Sequence, residues 1–155
     1  MTATIRRARP TDAARLTRIA HAAKRHWGYP ERWIRSWRDD LTVTPEDIAR
    51  RAVYCAVRRR AVVGFYGLSA ERDVPEIDHF WVHPGHIGTG VGRRLFSHLV
   101  RRVRSTRATR IRIASDPNAA GFYRRMGARR VGRVSSTPRG RYLPLLAIDL
   151  RRKGS

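Results

Sequence analysis

Residues 83 to 96 read HPGHIGTGVGRRLF, with Gly88, Gly90 and Gly92 at alternate positions directly ahead of an amphipathic run. Before the glycines, PEIDHFWV alternates as a strand, with Glu76, Asp78, Phe80 and Val82 set against Ile77, His79 and Trp81. Behind them, Val91, Leu95, Phe96, Leu99, Val100 and Val103 recur with helical spacing, while Arg93, Arg94, Arg101 and Arg104 fall mostly off that stripe. A strand, a glycine turn and a helix in immediate succession leave free amides at the positive end of a helix dipole, a general way to hold an anion. Two familiar phosphate loops are disfavoured. A Walker loop needs a lysine and a hydroxyl residue after its last glycine, where this chain has Arg93 and Arg94. A dinucleotide loop spaces its third glycine by two residues and follows the first strand of a βαβ series. The glycines alone leave a plain tight turn open.

The remaining chain supplies the layers around that unit. ATIRRARP reads as a strand, and Pro10 and Thr11 open a helix with Leu16, Ile19, Ala20 and Ala23 on its apolar face. HWGYP ends that helix, Pro30 begins a short one with Trp33 and Trp37 on one face, and Thr44 caps a third at TPED. AVYCAV and AVVGFYGLSA form a hairpin about the turn at Arg58 to Arg60. RIRIAS is a strand, PNAAGFYRRM a helix, and ARRVGRV and YLPLLAIDL closing strands; RRKGS reads as a frayed end. This order predicts a three-layer α/β domain over residues 1–155 around one mixed central sheet of about seven strands, with no linker or repeat.

Composition narrows the setting. No stretch approaches the roughly 18 consecutive apolar residues of a membrane span, and the first ten residues lack the apolar core of a signal peptide. The single Cys55 sits in an apolar strand, as a structural thiol in a reducing cytoplasm would. A net charge of +22 attracts polyanions and acidic small molecules, yet nearly all of it is arginine scattered along the chain, with lysine only at Lys24 and Lys153. The histidines, at positions 21, 26, 79, 83, 86 and 98, form no metal-binding motif.

WVHPGHIGTGVGRRLF resembles the acetyl-CoA binding segment of the GNAT acyltransferases. In that family a strand ending Val-x-Pro leads into an Arg/Gln-x-x-Gly-x-Gly/Ala loop whose amides hold the CoA pyrophosphate; Val82, Pro84, Gly88, Gly90 and Gly92 match. Ile87 stands where the family places Arg or Gln, leaving His86, Arg93 or Arg94 to supply positive charge. DPNAAGFYRRMGA is similar to a second family segment, in which the asparagine touches the pantetheine arm and the tyrosine stands beside the thiol; these positions are Asn118, Phe122 and Tyr123, with Gly127 in the following turn. The element order follows the family from Ile5 to Leu150, while motif support is confined to residues 76 to 127.

The resemblance implies an acetyl-CoA dependent N-acetyltransferase that needs no metal. Pantetheine then enters between the splayed strands EIDHFWV and RIRIAS and bonds amides near Phe80, Trp81 and Val82, while the loop Ile87, Gly88, Thr89, Gly90, Val91, Gly92 and Arg93 receives the pyrophosphate. Tyr123 is the expected general acid, because a phenol with an ordinary pKa of about 10 is protonated at neutral pH. Glu76 is the expected base, at the place where the histone-acetylating branch carries its glutamate. Asp78, read as sharing its face, and proton loss through water are the alternatives, and either carboxylate, Asp78 in particular, can instead bind a cationic acceptor.

The implied acceptor wall is AKRHWGYPERWIRSW, where His26, Trp27, Tyr29, Trp33 and Trp37 shape an aromatic cleft or simply cap the core. The late loop VSSTPRGRYLP supplies Arg139 or Arg141 for a substrate carboxylate. The leading acceptor is the primary amine of a small metabolite. An aminoacyl-tRNA or another amine on an acidic macromolecule, and a CoA-responsive nucleic-acid binding module, are the competing readings. Self-association as a homodimer is left open.

Overall fold

The computed structural model of the chain describes residues 2–69 and 73–150, so RRKGS and the residues between Ser69 and Asp73 lie outside it. Its seven strands are β1 (Thr4–Arg7), β2 (Ala52–Arg58), β3 (Ala61–Ser69), β4 (Glu76–Val82), β5 (Arg110–Ala114), β6 (Arg129–Ser135) and β7 (Tyr142–Asp149). They form one sheet in the order β1-β2-β3-β4-β5-β7-β6. Only β4 and β5 are parallel neighbours, so β7 enters between β5 and β6.

The helices cover both faces. α1 (Ala13–His26), α2 (Glu31–Ser36), α3 (Arg38–Leu41) and α4 (Pro45–Arg50) lie on one side, where Leu16, Ile19, Ile34, Trp37, Ile48 and Phe65 share a core. α5 (Val91–Arg104) and α6 (Ala120–Arg125) cover the other, with Leu95, Leu99, Ile111, Ile113, Tyr123 and Leu146 packed together. The three-layer expectation therefore holds, with the one-turn α3 as an addition. No helix among the described residues is long and apolar enough to cross a membrane.

Local chemistry sets the boundaries. α1 ends at His26, and Gly28 beyond it takes φ +79°, a left-handed conformation natural to glycine. α4 opens on a reciprocal box: Asp47 N–H donates to Thr44 Oγ1 at 3.1 Å and Thr44 N–H to Asp47 Oδ2 at 3.0 Å. The β2–β3 hairpin turns on Arg59 and Arg60, both at positive φ. This suits the twist of a two-residue hairpin, although arginine is an unusual occupant.

Two departures from regularity shape the cleft. β4 and β5 pair at Glu76↔Arg112 alone, where Arg112 N–H also donates to Pro75 C=O at 3.0 Å, and then they separate. The second departure corrects the strict alternation expected for β4. Gly67 faces His79 and Leu68 faces Ile77, so Asp78 is an extra residue in a bulge. Ile77 consequently shares the α5-side core with Phe80 and Val82, while Trp81 packs in the α1-side core and His79 against Phe65. The premise that Asp78 is interchangeable with Glu76 by strand parity is lost with the alternation.

Candidate active site

The parting of β4 and β5 opens a cleft of about 1120 Å³ that runs from the start of α5 to the layer of α1 and α3. Its first end is the glycine loop. Gly88 and Gly90 adopt φ +80° and +89°, and a Cβ at either would meet nothing within 4 Å. Glycine is therefore required there by backbone conformation, not by space. The helical ladder begins when Arg94 N–H donates to Gly90 C=O, so the amides of Val91, Gly92 and Arg93 head the helix outside that ladder. Arg93 lines the cleft beside them, giving a positive end suited to a pyrophosphate.

Phe80, Trp81, Val82, Ile87, Gly88, Gly90, Gly92, Arg93, Asn118, Phe122 and Tyr123 all line this cleft. Two residues expected in the same group do not. The Val91 side chain is buried in the core, leaving only its amide at the helix start, and Thr89 faces a smaller adjoining pocket while its hydroxyl bonds His86 C=O. Ile87, 47% exposed, projects from the loop without any charge to offer.

The middle of the cleft is aromatic. Tyr123 is 3% exposed, and its ring lies 5.7 Å from that of Phe80 and 5.4 Å from that of Phe122. Burial pushes the phenol's pKa well up, and the negative charge of Asp116 pushes it further. Glu76 and Asp78 line the same cleft, but the Asp78 carboxylate receives the Arg51 guanidinium at 2.9 Å. His79 accepts the Trp81 indole N–H on Nδ1 at 3.1 Å, and burial lowers its pKa to about 4. Its neutral ring therefore carries its proton on Nε2 and is a donor there, not a base.

The far end is organised by two residues that the sequence reading did not select, Asp116 and Lys24, together with others that it did. Asp116, just beyond β5, receives Lys24 Nζ at 2.6 Å, the Tyr29 hydroxyl at 3.1 Å and the Asn118 amide at 2.8 Å. Arg141 Nη2 donates to the Tyr29 hydroxyl at 3.0 Å and lies 3.8 Å from Asp116. Trp37, 4% exposed, donates its indole N–H to Thr137 at 3.0 Å, tying the β6–β7 loop to the helical layer. One signal for Lys24 was available: it follows Ala20 by one helical turn on the apolar side of α1, in a chain with only two lysines.

The expected acceptor residues divide. Trp27, Asp78 and Arg141 line the cleft, and Tyr29 reaches it through its hydrogen bonds to Asp116, Asn118 and Arg141. His26 is exposed and stacks edge-on against Trp27 at 5.1 Å, outside the lining. Trp33 packs against Tyr29 and Trp37 at 6.1 and 6.0 Å and is likewise not part of it. His26 and Trp27 are successive at the end of α1 and about 100° apart, so both cannot turn inward, while Trp33, on the Trp37 face of α2, stands behind Tyr29 and Trp37 outside the lining. Arg139 is exposed and does not line the cleft, whereas Arg141 does.

Comparison with known proteins agrees with this geometry. A GCN5-related N-acetyltransferase from Rhodopseudomonas palustris superposes with TM-score 0.83 at 23% identity, covering 97% of each chain. The PaiA N-acetyltransferase of Thermoplasma acidophilum, solved with coenzyme A, gives 0.80 at 16% identity over 96% of this chain and 99% of that one. The acetyltransferase yncA of Salmonella typhimurium, solved with acetyl-CoA and described as putative in its own structure, gives 0.71 at 20% identity over 100% and 98%. No curated protein sequence matches the chain significantly. The profile of the acetyltransferase (GNAT) family matches residues 15–128, which contain the glycine loop, the splayed strands and Tyr123, and the chain belongs to that family.

Proposed function

We propose that the protein moves an acetyl group from acetyl-CoA directly to the primary amine of a small metabolite, with both substrates bound together in the cleft. The observation that carries this reading is the continuity of the cleft: a helix start with amides outside the helical ladder, a gap between parallel strands and a polar far end share one cavity. Holding two reactants in line removes much of the entropic barrier of a bimolecular step.

Acetyl-CoA supplies the activated acetyl group as a thioester; everything else falls to the chain. The amides of Val91 to Arg93 and the Arg93 guanidinium hold the pyrophosphate. The backbone of β4, separated from β5 past Glu76, offers strand amides to the pantetheine arm and the thioester oxygen. Tyr123 keeps its proton at neutral pH and delivers it to the departing sulfur. Glu76 takes the ammonium proton, directly or through water, so that a neutral nitrogen attacks. Asn118, held by Asp116, closes the cofactor side next to the acceptor.

The direct test is release of free thiol from acetyl-CoA on adding a panel of primary amines, with the acetylated amine identified by mass spectrometry. Amine-dependent release is expected; binding of acetyl-CoA without transfer to any amine overturns the reading.

A further inference from the structure

The acceptor end holds two cations on one carboxylate. Lys24 Nζ lies 2.6 Å and Arg141 Nη2 3.8 Å from Asp116 Oδ2, and the three side chains are only 9, 13 and 8% exposed. Within this triad one positive charge is left over, in a corner largely shielded from water. Tyr29 and Trp37 fix its position: the Lys24 ammonium stands 5.0 and 4.4 Å from their ring centroids, and the Arg141 guanidinium 5.1 and 4.6 Å. Hydrogen-bonding capacity remains as well. Among the described residues, Lys24 uses one of its three N–H groups, on Asp116, and Arg141 two of its five, on Ser136 and Tyr29. Beyond Asp116, the negative charge acting on Lys24 comes from the exposed Asp40, so the buried excess is only weakly compensated, and Lys24, Arg141 and Trp37 all line the cleft.

Resting on the acetyl-transfer reading above, we propose that Lys24 and Arg141 seat a carboxylate of the acceptor, so that the substrate class is amino acids. A carboxylate carries the single negative charge that the triad lacks and matches the planar fork of arginine. Glu76 and Asp40 line the same cleft and complement the ammonium of the same zwitterion. A polyamine places a second cation against Lys24 and is disfavoured.

The experiment measures thiol release from acetyl-CoA with each standard amino acid, its α-carboxamide and the corresponding decarboxylated amine. One or more amino acids are expected to exceed both analogues at least tenfold in kcat/KM. Lys24→Met is expected to raise the acceptor KM about 10- to 100-fold, the loss of one charge-assisted contact, with the acetyl-CoA KM unchanged. Equal or faster turnover of carboxamides or amines by the wild-type protein overturns the carboxylate seat while leaving acetyl transfer standing; that comparison needs no variant, so poor folding of Lys24→Met does not obscure it. An unchanged acceptor KM in a folded Lys24→Met protein overturns the role of Lys24. Absence of thiol release with every amine, from protein that binds acetyl-CoA by calorimetry, overturns the acetyl-transfer reading and the seat together.

Discussion

The Lys24 ammonium on α1 lies 2.6 Å from the Asp116 carboxylate beyond β5, across 92 residues of chain. Burial works to raise the Asp116 pKa, but the hydrogen bond and charge of Lys24 and the Asn118 amide overcome it and leave the pKa lowered. Asp12, bonded by Arg6, and Asp47, bonded by the Thr44 amide, are lowered too. A carboxylate depressed in the folded state contributes stability that is complete above its unfolded pKa and is lost as pH falls through the folded value. His79, kept neutral by burial with its pKa lowered to about 4, begins to cost stability earlier, as the unfolded imidazole takes up its proton near its ordinary pKa of about 6.5; Tm is therefore expected to fall from about pH 6.5 and to fall further below about pH 4 as the carboxylates protonate. Thermal unfolding across that range checks it, and a Tm that rises on acidification contradicts it. Asp116→Ala, which leaves Lys24 buried without its partner, is expected to cost about 3–5 kcal/mol.

Tyr123→Phe isolates the phenol. With the ring retained among Phe80, Phe96 and Phe122, packing is preserved while the proton donor is removed. Turnover is expected to fall about 10²- to 10³-fold with the acetyl-CoA KM within about twofold. Because burial raises the Tyr123 pKa above its usual 10.0, the wild-type enzyme should show no alkaline loss of kcat from this group below that pH. Turnover equal to wild type would assign Tyr123 to packing alone.

Glu76→Gln separates proton removal from binding. If the carboxylate takes the ammonium proton, kcat at pH 7 should drop about 10- to 100-fold and recover as the pH approaches the amine pKa of about 10, where free amine is abundant. A parallel pH profile in the two proteins would mean that water alone accepts the proton.

Ile87→Arg adds a cation to the mouth of the cleft at a position already 47% exposed. The charge needs no burial, and acetyl-CoA should bind about 3- to 10-fold more tightly at low salt, with the gain shrinking as ionic strength rises. Titration calorimetry at two salt concentrations reads this directly; unchanged affinity at low salt would show that the pyrophosphate lies elsewhere.

Gly64→Ala tests how closely α5 approaches the sheet. A Cβ at Gly64 would stand 2.9 Å from the Trp81 carbonyl oxygen and 3.2 Å from Leu95 Cδ1. The backbone carbonyl cannot rotate away as a flexible side chain would, and a loss of about 1–3 kcal/mol is expected in urea unfolding. An unchanged midpoint would mean that both β4 and α5 give way without cost.

Much of the site was legible locally. The period of 2 in PEIDHFWV and of 3.6 in the run from Val91 to Val103 marks β4 and α5, and the glycines between them mark a turn whose left-handed positions are Gly88 and Gly90. Asn118 and Tyr123 were found through the resemblance of DPNAAGFYRRMGA to a segment of the GNAT family. The faces of β4 were not legible, since the bulge at Asp78 arises from pairing with Gly67 and Leu68 on another strand. That His26 and Trp33 fall outside the cleft lining was not legible either, since the sense in which α1 and α2 rotate onto the sheet depends on what packs beneath them.

By itself, then, the sequence determined the order of strands and helices and the glycine turn ahead of α5, because each follows from nearest-neighbour periodicity or backbone preference within a few residues, while Tyr123 was reached through the family resemblance. The tertiary structure alone decided that β7 enters between β5 and β6, that β4 and β5 part after one pair, and that Lys24, Tyr29, Asp116 and Arg141 converge. Those outcomes depend on contacts between residues distant along the chain. A carboxylate beyond a strand becomes the centre of a charged cluster only once the folded core has brought a lysine, a tyrosine and an arginine to it and excluded the water around them.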